Sequence, residues 1–158
     1  MMSSFALVCL LLSAVLYSSY ISIVYIKYKP SCISESYYKI KHGYMFTVWM
    51  LLVSFLIFPS WVECSPICFQ FLPFLSVASL GTVGVSPKYL GSDRKVHIIF
   101  TIVAVVLSLT WSIVTGMYFI PLILGIILII LYFTKTKNKL FWIENLAFSN
   151  IYLSIFLS

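Results

Sequence analysis

Charge is scarce in this chain of 158 residues. Asp, Glu, Lys and Arg together make 9% of it, and only four of them are acidic. An ordinary soluble domain is about 25% charged and 45–50% apolar. Here 62% of the residues are hydrophobic and the mean hydropathy is +1.09. A soluble fold of this length could not cover such a chain with polar surface, so the solvent it matches is lipid. Strand-like alternation of apolar and polar residues is also missing. The apolar runs are continuous, which excludes a membrane barrel and leaves helices, the other structure that pairs its own backbone in hydrocarbon.

Other shortages narrow the chemistry. Two histidines exclude a three-histidine zinc site, and the minimum metal set would be His42, His97 and a carboxylate. Neither a metal nor another cofactor is expected. The Gly81-Thr82-Val83-Gly84 run has no preceding strand and no following Gly-Lys-Ser/Thr, so it is not a phosphate loop. No nucleophile elbow accompanies the serines. The four cysteines are scattered. Cys64 and Cys68, in ECSPIC, lack the two-residue redox spacing; a disulfide and two ordinary thiols both fit them.

What the chain does have is a series of apolar runs. A helical span needs about 17–25 apolar residues. The runs predict an all-α, single-domain bundle of six transmembrane helices at about 4–26, 44–62, 67–85, 97–115, 117–133 and 141–157. The first has no basic leader region and no small-residue cleavage site, and so reads as a retained span. Its Ser13, Tyr17, Ser18, Ser19, Tyr20 and Ser22 predict a face packed on other helices. The sixth has a second reading, an amphipathic helix lying in the interface. Its length and apolar end favour a crossing.

The charges are sorted among the connections. The net charge is +6. Lys27, Lys29, Lys39 and Lys41 follow the first run, Lys88, Arg94 and Lys95 the third, and Lys135, Lys137 and Lys139 the fifth. These are all 10 basic residues. Basic residues concentrate in short cytoplasmic loops. The alternation therefore predicts both termini outside and three basic loops in the cytoplasm, in a bacterial inner membrane. Placed so, the charge is a topology signal and a contact for anionic headgroups rather than for nucleic acid.

Small residues at Ala78, Gly81 and Gly84 predict close helix approach, to a partner helix, a second copy, or the bundle itself. Glu35, Asp93, Glu144, His42 and His97 all fall at cytoplasmic span ends, as do Ser34, Tyr37, Tyr38, Trp142 and Asn145. Helix ends are also where polar groups cost least. The first expectation is a protein that binds membrane lipid or a partner at its cytoplasmic face, through Ser34, Tyr37, Tyr38, His97, Trp142 and Asn145. The second is a membrane-embedded lipid hydrolase or transferase using His97, Asp93, Glu35 and Glu144. Asp93 stands four residues before His97, within reach on a helix, and equally placed to complement the helix start with Ser92 as cap. Glu144 calls for a partner, with Lys39, Lys41 and Arg94 the candidates. A transporter is disfavoured because no charge sits at mid-membrane.

The order of CISESYY before span two, GTVGVSP closing span three, KVHIIF opening span four and Trp142-Ile143-Glu144 opening span six resembles small six-helix membrane proteins of bacteria and phages. It is distantly similar to the Frag/DRAM-like type. The matching positions are Ile33, Ser34, Gly81, Gly84, Pro87 and His97. After Ser34 the chain reads Glu35-Ser36-Tyr37 where that type has Asp-Thr-Gly. The resemblance implies a fold and no established reaction.

Overall fold

A computed structural model describes residues 2–86, 93–134 and 137–158, except the side chain of Asp93. Pro87, Lys88, Ser92 and Lys135 lie outside the described residues. Among those described, every regular element is helical. In order they are α1 (Ser4–Tyr28), α2 (Ser36–Lys39), α3 (Tyr44–Glu63), a 3-10 turn at Ile67–Phe69, α4 (Phe71–Val85), α5 (Asp93–Val114), α6 (Phe119–Phe133) and α7 (Lys139–Leu157). Five apolar stretches, Ser4–Tyr28, Tyr44–Glu63, Ile67–Val85, Arg94–Val114 and Lys139–Leu157, are long and apolar enough to cross a membrane. The sixth, α6, has 15 residues, about 22 Å of helix against a hydrocarbon core of about 30 Å.

The bundle buries small polar groups among its aromatic and aliphatic core and leaves many large apolar side chains outside. Eleven serines and Asn150 are buried. Phe5, Ile26, Phe55, Ile102, Ile126 and Phe133 are among the many exposed apolar side chains. In water such a surface would aggregate; in lipid it is the solvated face. Inside, serines bridge helices. Ser60 Oγ donates to Ala6 O at 2.5 Å, and Ser13 Oγ donates to Val53 O at 3.0 Å while lying 2.7 Å from Tyr152 Oη. The polar face expected on α1 is thus Ser13, Tyr17 and Tyr20, one helical stripe. Ser18, Ser19 and Ser22 are instead exposed.

Aromatic rings fill the space between α1, α3 and α7. Tyr20 stacks on Trp49 with centroids 4.2 Å apart, and Tyr17 meets Phe148 at 4.9 Å. Gly84 brings α4 onto α3: a Cβ there would lie 2.9 Å from Met50 Cβ, and Thr47 Oγ1 donates to Gly84 O at 2.8 Å. Pro121 sits in the first turn of α6, where its missing N–H removes no helix bond.

Contacts fix which helix ends lie together. At one end, Phe141 N–H donates to Ser31 O at 2.9 Å and Asn138 Nδ2 to Lys29 O at 3.4 Å. Thr47, beside Gly84, places the start of α3 and the end of α4 there as well. At the opposite end, Ser3 N and Oγ donate to the Glu63 carboxylate, both at 2.7 Å. Trp111 Nε1 donates to Ser65 Oγ at 2.7 Å, and Cys64 Sγ approaches Ile155 O at 4.0 Å. So α5 finishes at the end where the chain begins, and α7 starts at the other. The segment containing α6 carries the chain back along the bundle. Every described basic residue lies at or next to the end that holds Ser31.

Candidate functional site

Near the basic end, α5, α6 and α7 diverge and enclose a cavity of about 420 Å³ with α3 and α4. Its wall is apolar almost throughout: Phe46 and Met50 from α3, Leu80 and Val83 from α4, Leu124 and Leu128 from α6, Ile151 from α7. Gly125 of α6 lines it too, and a Cβ added there would meet nothing within 4 Å. The polar lining groups are Ser34, His97, Thr101, Ser108, Glu144 and Asn150. Large apolar pockets with a few converging polar groups are the usual form of small-molecule sites.

The polar groups are held from behind. Glu144 rises from the second turn of α7, and its Oε2 accepts from the Ile33 backbone N–H at 2.5 Å. Neither Lys39, Lys41 nor Arg94 supplies its partner. Lys39 pairs instead with Glu35, 3.2 Å away, the single ion pair among the described residues. The reason is local: α2 sets Glu35 and Lys39 four apart on one helical turn. His97, near the start of α5, turns to the end of α4. Its Nδ1 lies 2.8 Å from Ser86 Oγ and 3.2 Å from Val83 O. The Asp93–His97 contact falls outside the described side chains, and Ser86 is the side-chain partner of His97 among those described. Ser86 is buried and does not line the cavity, which makes this pair a clasp across the α4–α5 corner. Ser34 Oγ contacts Cys32 Sγ at 3.4 Å.

Glu35 stands apart from the cavity. Its Oε2 accepts from Ser31 N–H and, at 2.8 Å, from Ser31 Oγ. Partial burial pushes its carboxyl up, but the two Ser31 bonds and Lys39 outweigh that and hold it below the usual carboxylate range. Tyr37 and Tyr38 meet edge to face outside the cavity, and Tyr38 is exposed. Trp142 packs edge-on against Phe141 and Tyr25. Asn145 accepts from Tyr17 Oη at 2.6 Å and donates to Phe141 O, tying α7 to α1. Of the residues expected from sequence, then, Ser34, His97 and Glu144 share one cavity. Glu35, Tyr37, Tyr38, Trp142 and Asn145 do not line it.

Asn150, Thr101, Ser108 and Gly125 were not among the sequence candidates. The only signal for them was polarity or smallness in the middle of an apolar run, which inward-facing serines share. The His42 ring lies tilted 5.7 Å from that of Tyr44, and no three of His, Cys, Asp or Glu gather at metal-ligand spacing among the described residues. Cys9, Cys32, Cys64 and Cys68 are all free thiols. A second, smaller groove of about 270 Å³ lies between α3 and α4 at Phe55, Phe74, Ala78 and Gly81.

The chain matches no protein-family model, no curated protein and no solved structure.

Proposed function

We propose that this is a six-span membrane protein that holds a single lipid-like molecule in the α5–α6–α7 cavity. In this reading both termini face out, the basic connections face the cytoplasm, and the membrane is a bacterial inner membrane. The observation that carries it is the cavity itself, apolar along its length and joined at the basic end by Ser34, His97 and Glu144. Support for six crossings comes from the contacts that put the end of α5 and the start of α7 at opposite ends of the bundle. A helix slightly short of the hydrocarbon thickness is accommodated by bilayer thinning or by residues flanking it.

A second reading is a lipid hydrolase or transferase, favoured by the shared position of His97, Glu144 and Ser34. Binding is preferred because Ser86, the serine that His97 Nδ1 meets, does not line the cavity, and Ser34, which does, contacts Cys32 rather than a base. The test uses a photoreactive alkyl probe in membranes. Saturable labelling of α5–α7 that is lost in Gly125→Leu supports the binding site. Labelling that never saturates contradicts it. A change in cellular lipid species on His97→Ala, with folding intact, would favour the enzyme.

A further inference from the structure

One lining residue says more about the ligand than the rest. Asn150 is 2% exposed and lies midway along α7. Its Nδ2 donates to Ser112 Oγ at 3.1 Å. Ser112 Oγ donates to Ser108 O at 3.0 Å and lies 2.9 Å from Ser154 Oγ. A hydroxyl has one proton and two acceptor sites. With its proton on Ser108, Ser112 receives Asn150 and Ser154, and all three of its positions are used. In that arrangement the amide presents Nδ2 to Ser112, and Oδ1 faces the other way.

Asn150 Oδ1 has no hydrogen-bond partner among the described residues, although it is buried. Three other buried polar atoms share that state, on Ser54, Trp61 and Ser76, and none of those residues lines this cavity. Leaving an acceptor desolvated and unpaired is costly, and native proteins rarely do so without a use for it. Asn150 lies six residues beyond Glu144, about 9 Å further along the helix axis. A ligand that reaches it carries a donor into the apolar part of the cavity rather than at its mouth.

Resting on the cavity reading above, we infer that the ligand is a neutral long-chain amphiphile bearing an alcohol or amide donor, and that Asn150 Oδ1 receives it. The lining supports neutrality. It contains Glu144 and, among the described residues, no lysine or arginine. A fatty-acid anion or a phosphate would have no lysine or arginine to balance its charge there and a carboxylate beside it. The apolar wall supplies affinity for the chain; the Asn150 acceptor, set deep in it, supplies selection among chains of equal length.

The experiment uses the full chain in lipid nanodiscs with an alkyl diazirine probe whose labelling is mapped by mass spectrometry. Two competitors are compared, 1-dodecanol and 1-methoxyundecane. They have equal numbers of heavy atoms, and only the first donates a hydrogen bond. The expected result is labelling on α5–α7 that the alcohol displaces about five- to tenfold more effectively than the ether, the size of one neutral hydrogen bond. In Asn150→Leu the two should compete about equally. Equal competition in the natural protein overturns the donor assignment while leaving the cavity as a binding site, and it requires no variant to fold. A preference that survives undiminished in Asn150→Leu overturns the role of Asn150. Absence of saturable labelling in the natural protein overturns the cavity reading, and this inference with it.

Discussion

The Ile33 backbone N–H donates to the Glu144 carboxylate across 111 positions of sequence. One bond thereby ties the connection after α1 to the second turn of α7, at the mouth of the cavity. It gives a half-buried carboxylate its partner and gives a loop amide its acceptor. Substituting Glu144 with Ala leaves the Ile33 N–H unpaired in a low-dielectric setting and should cost about 1–3 kcal/mol. Glu144→Gln keeps an acceptor oxygen and should cost clearly less. Thermal unfolding in detergent checks both, and equal loss in the two variants would contradict the assignment.

Gly84 has a packing reason to be glycine and Gly125 does not. A Cβ at 84 would sit 2.9 Å from Met50 Cβ, which is close to the backbone and cannot swing away. At 81 the nearest atom is the flexible Leu51 Cδ2 at 3.6 Å, and at 125 nothing lies within 4 Å. Gly84→Ala should therefore destabilise by about 1–3 kcal/mol through overpacking. Gly81→Ala and Gly125→Ala should be neutral or slightly stabilising, from helix propensity. Thermal unfolding of the three variants gives the ranking; a Gly84→Ala protein as stable as the other two would contradict the α3–α4 packing.

The Glu35 carboxyl titrates below the usual carboxylate range. Its folded pKa lies under its unfolded one, so the stability it lends the loop is present above the ordinary carboxylate range. That contribution is lost as pH falls through the depressed value. The Ser31 amide should exchange slowly with solvent at neutral pH and faster at acid pH, beyond the pH dependence of exchange itself. In Glu35→Gln that additional acid-dependent change should vanish. The site is largely solvated, so the global unfolding temperature should move little.

Much of this architecture is legible in the sequence because lipid imposes a simple code. The uninterrupted apolar runs mark α1, α3, α4, α5 and α7, and the sorted lysines anticipate that Ser31, Gly84 and Phe141 meet at one end. The fifth run predicts a helix over 117–133, and Phe119–Phe133 is shorter at its start because Gly116, with φ +83°, turns the chain there. The one-turn helix α2 was unreadable: four residues carry no periodicity, and its position comes from Tyr20 Oη meeting Ser36 Oγ at 2.8 Å. At the site, Ser34, His97 and Glu144 stood out because polar groups near span ends are conspicuous. Their grouping depends on how α7 crosses the loop after α1, and a linear pattern does not encode that. Asn150 looked like any polar residue in a packed helix. Its importance comes from its bond to Ser112 on another helix, which composition does not encode.

Six crossings require the segment containing α6 to return the chain through the bilayer. The exposed Cys68 and a Lys137→Cys substitution, each as the only cysteine, test this with a membrane-impermeant maleimide on intact cells. The predicted result is that Cys68 is labelled from outside and the cysteine at position 137 only after permeabilisation. Labelling of both from outside would mean that the segment does not cross, and the proposed inner-leaflet cavity would be contradicted.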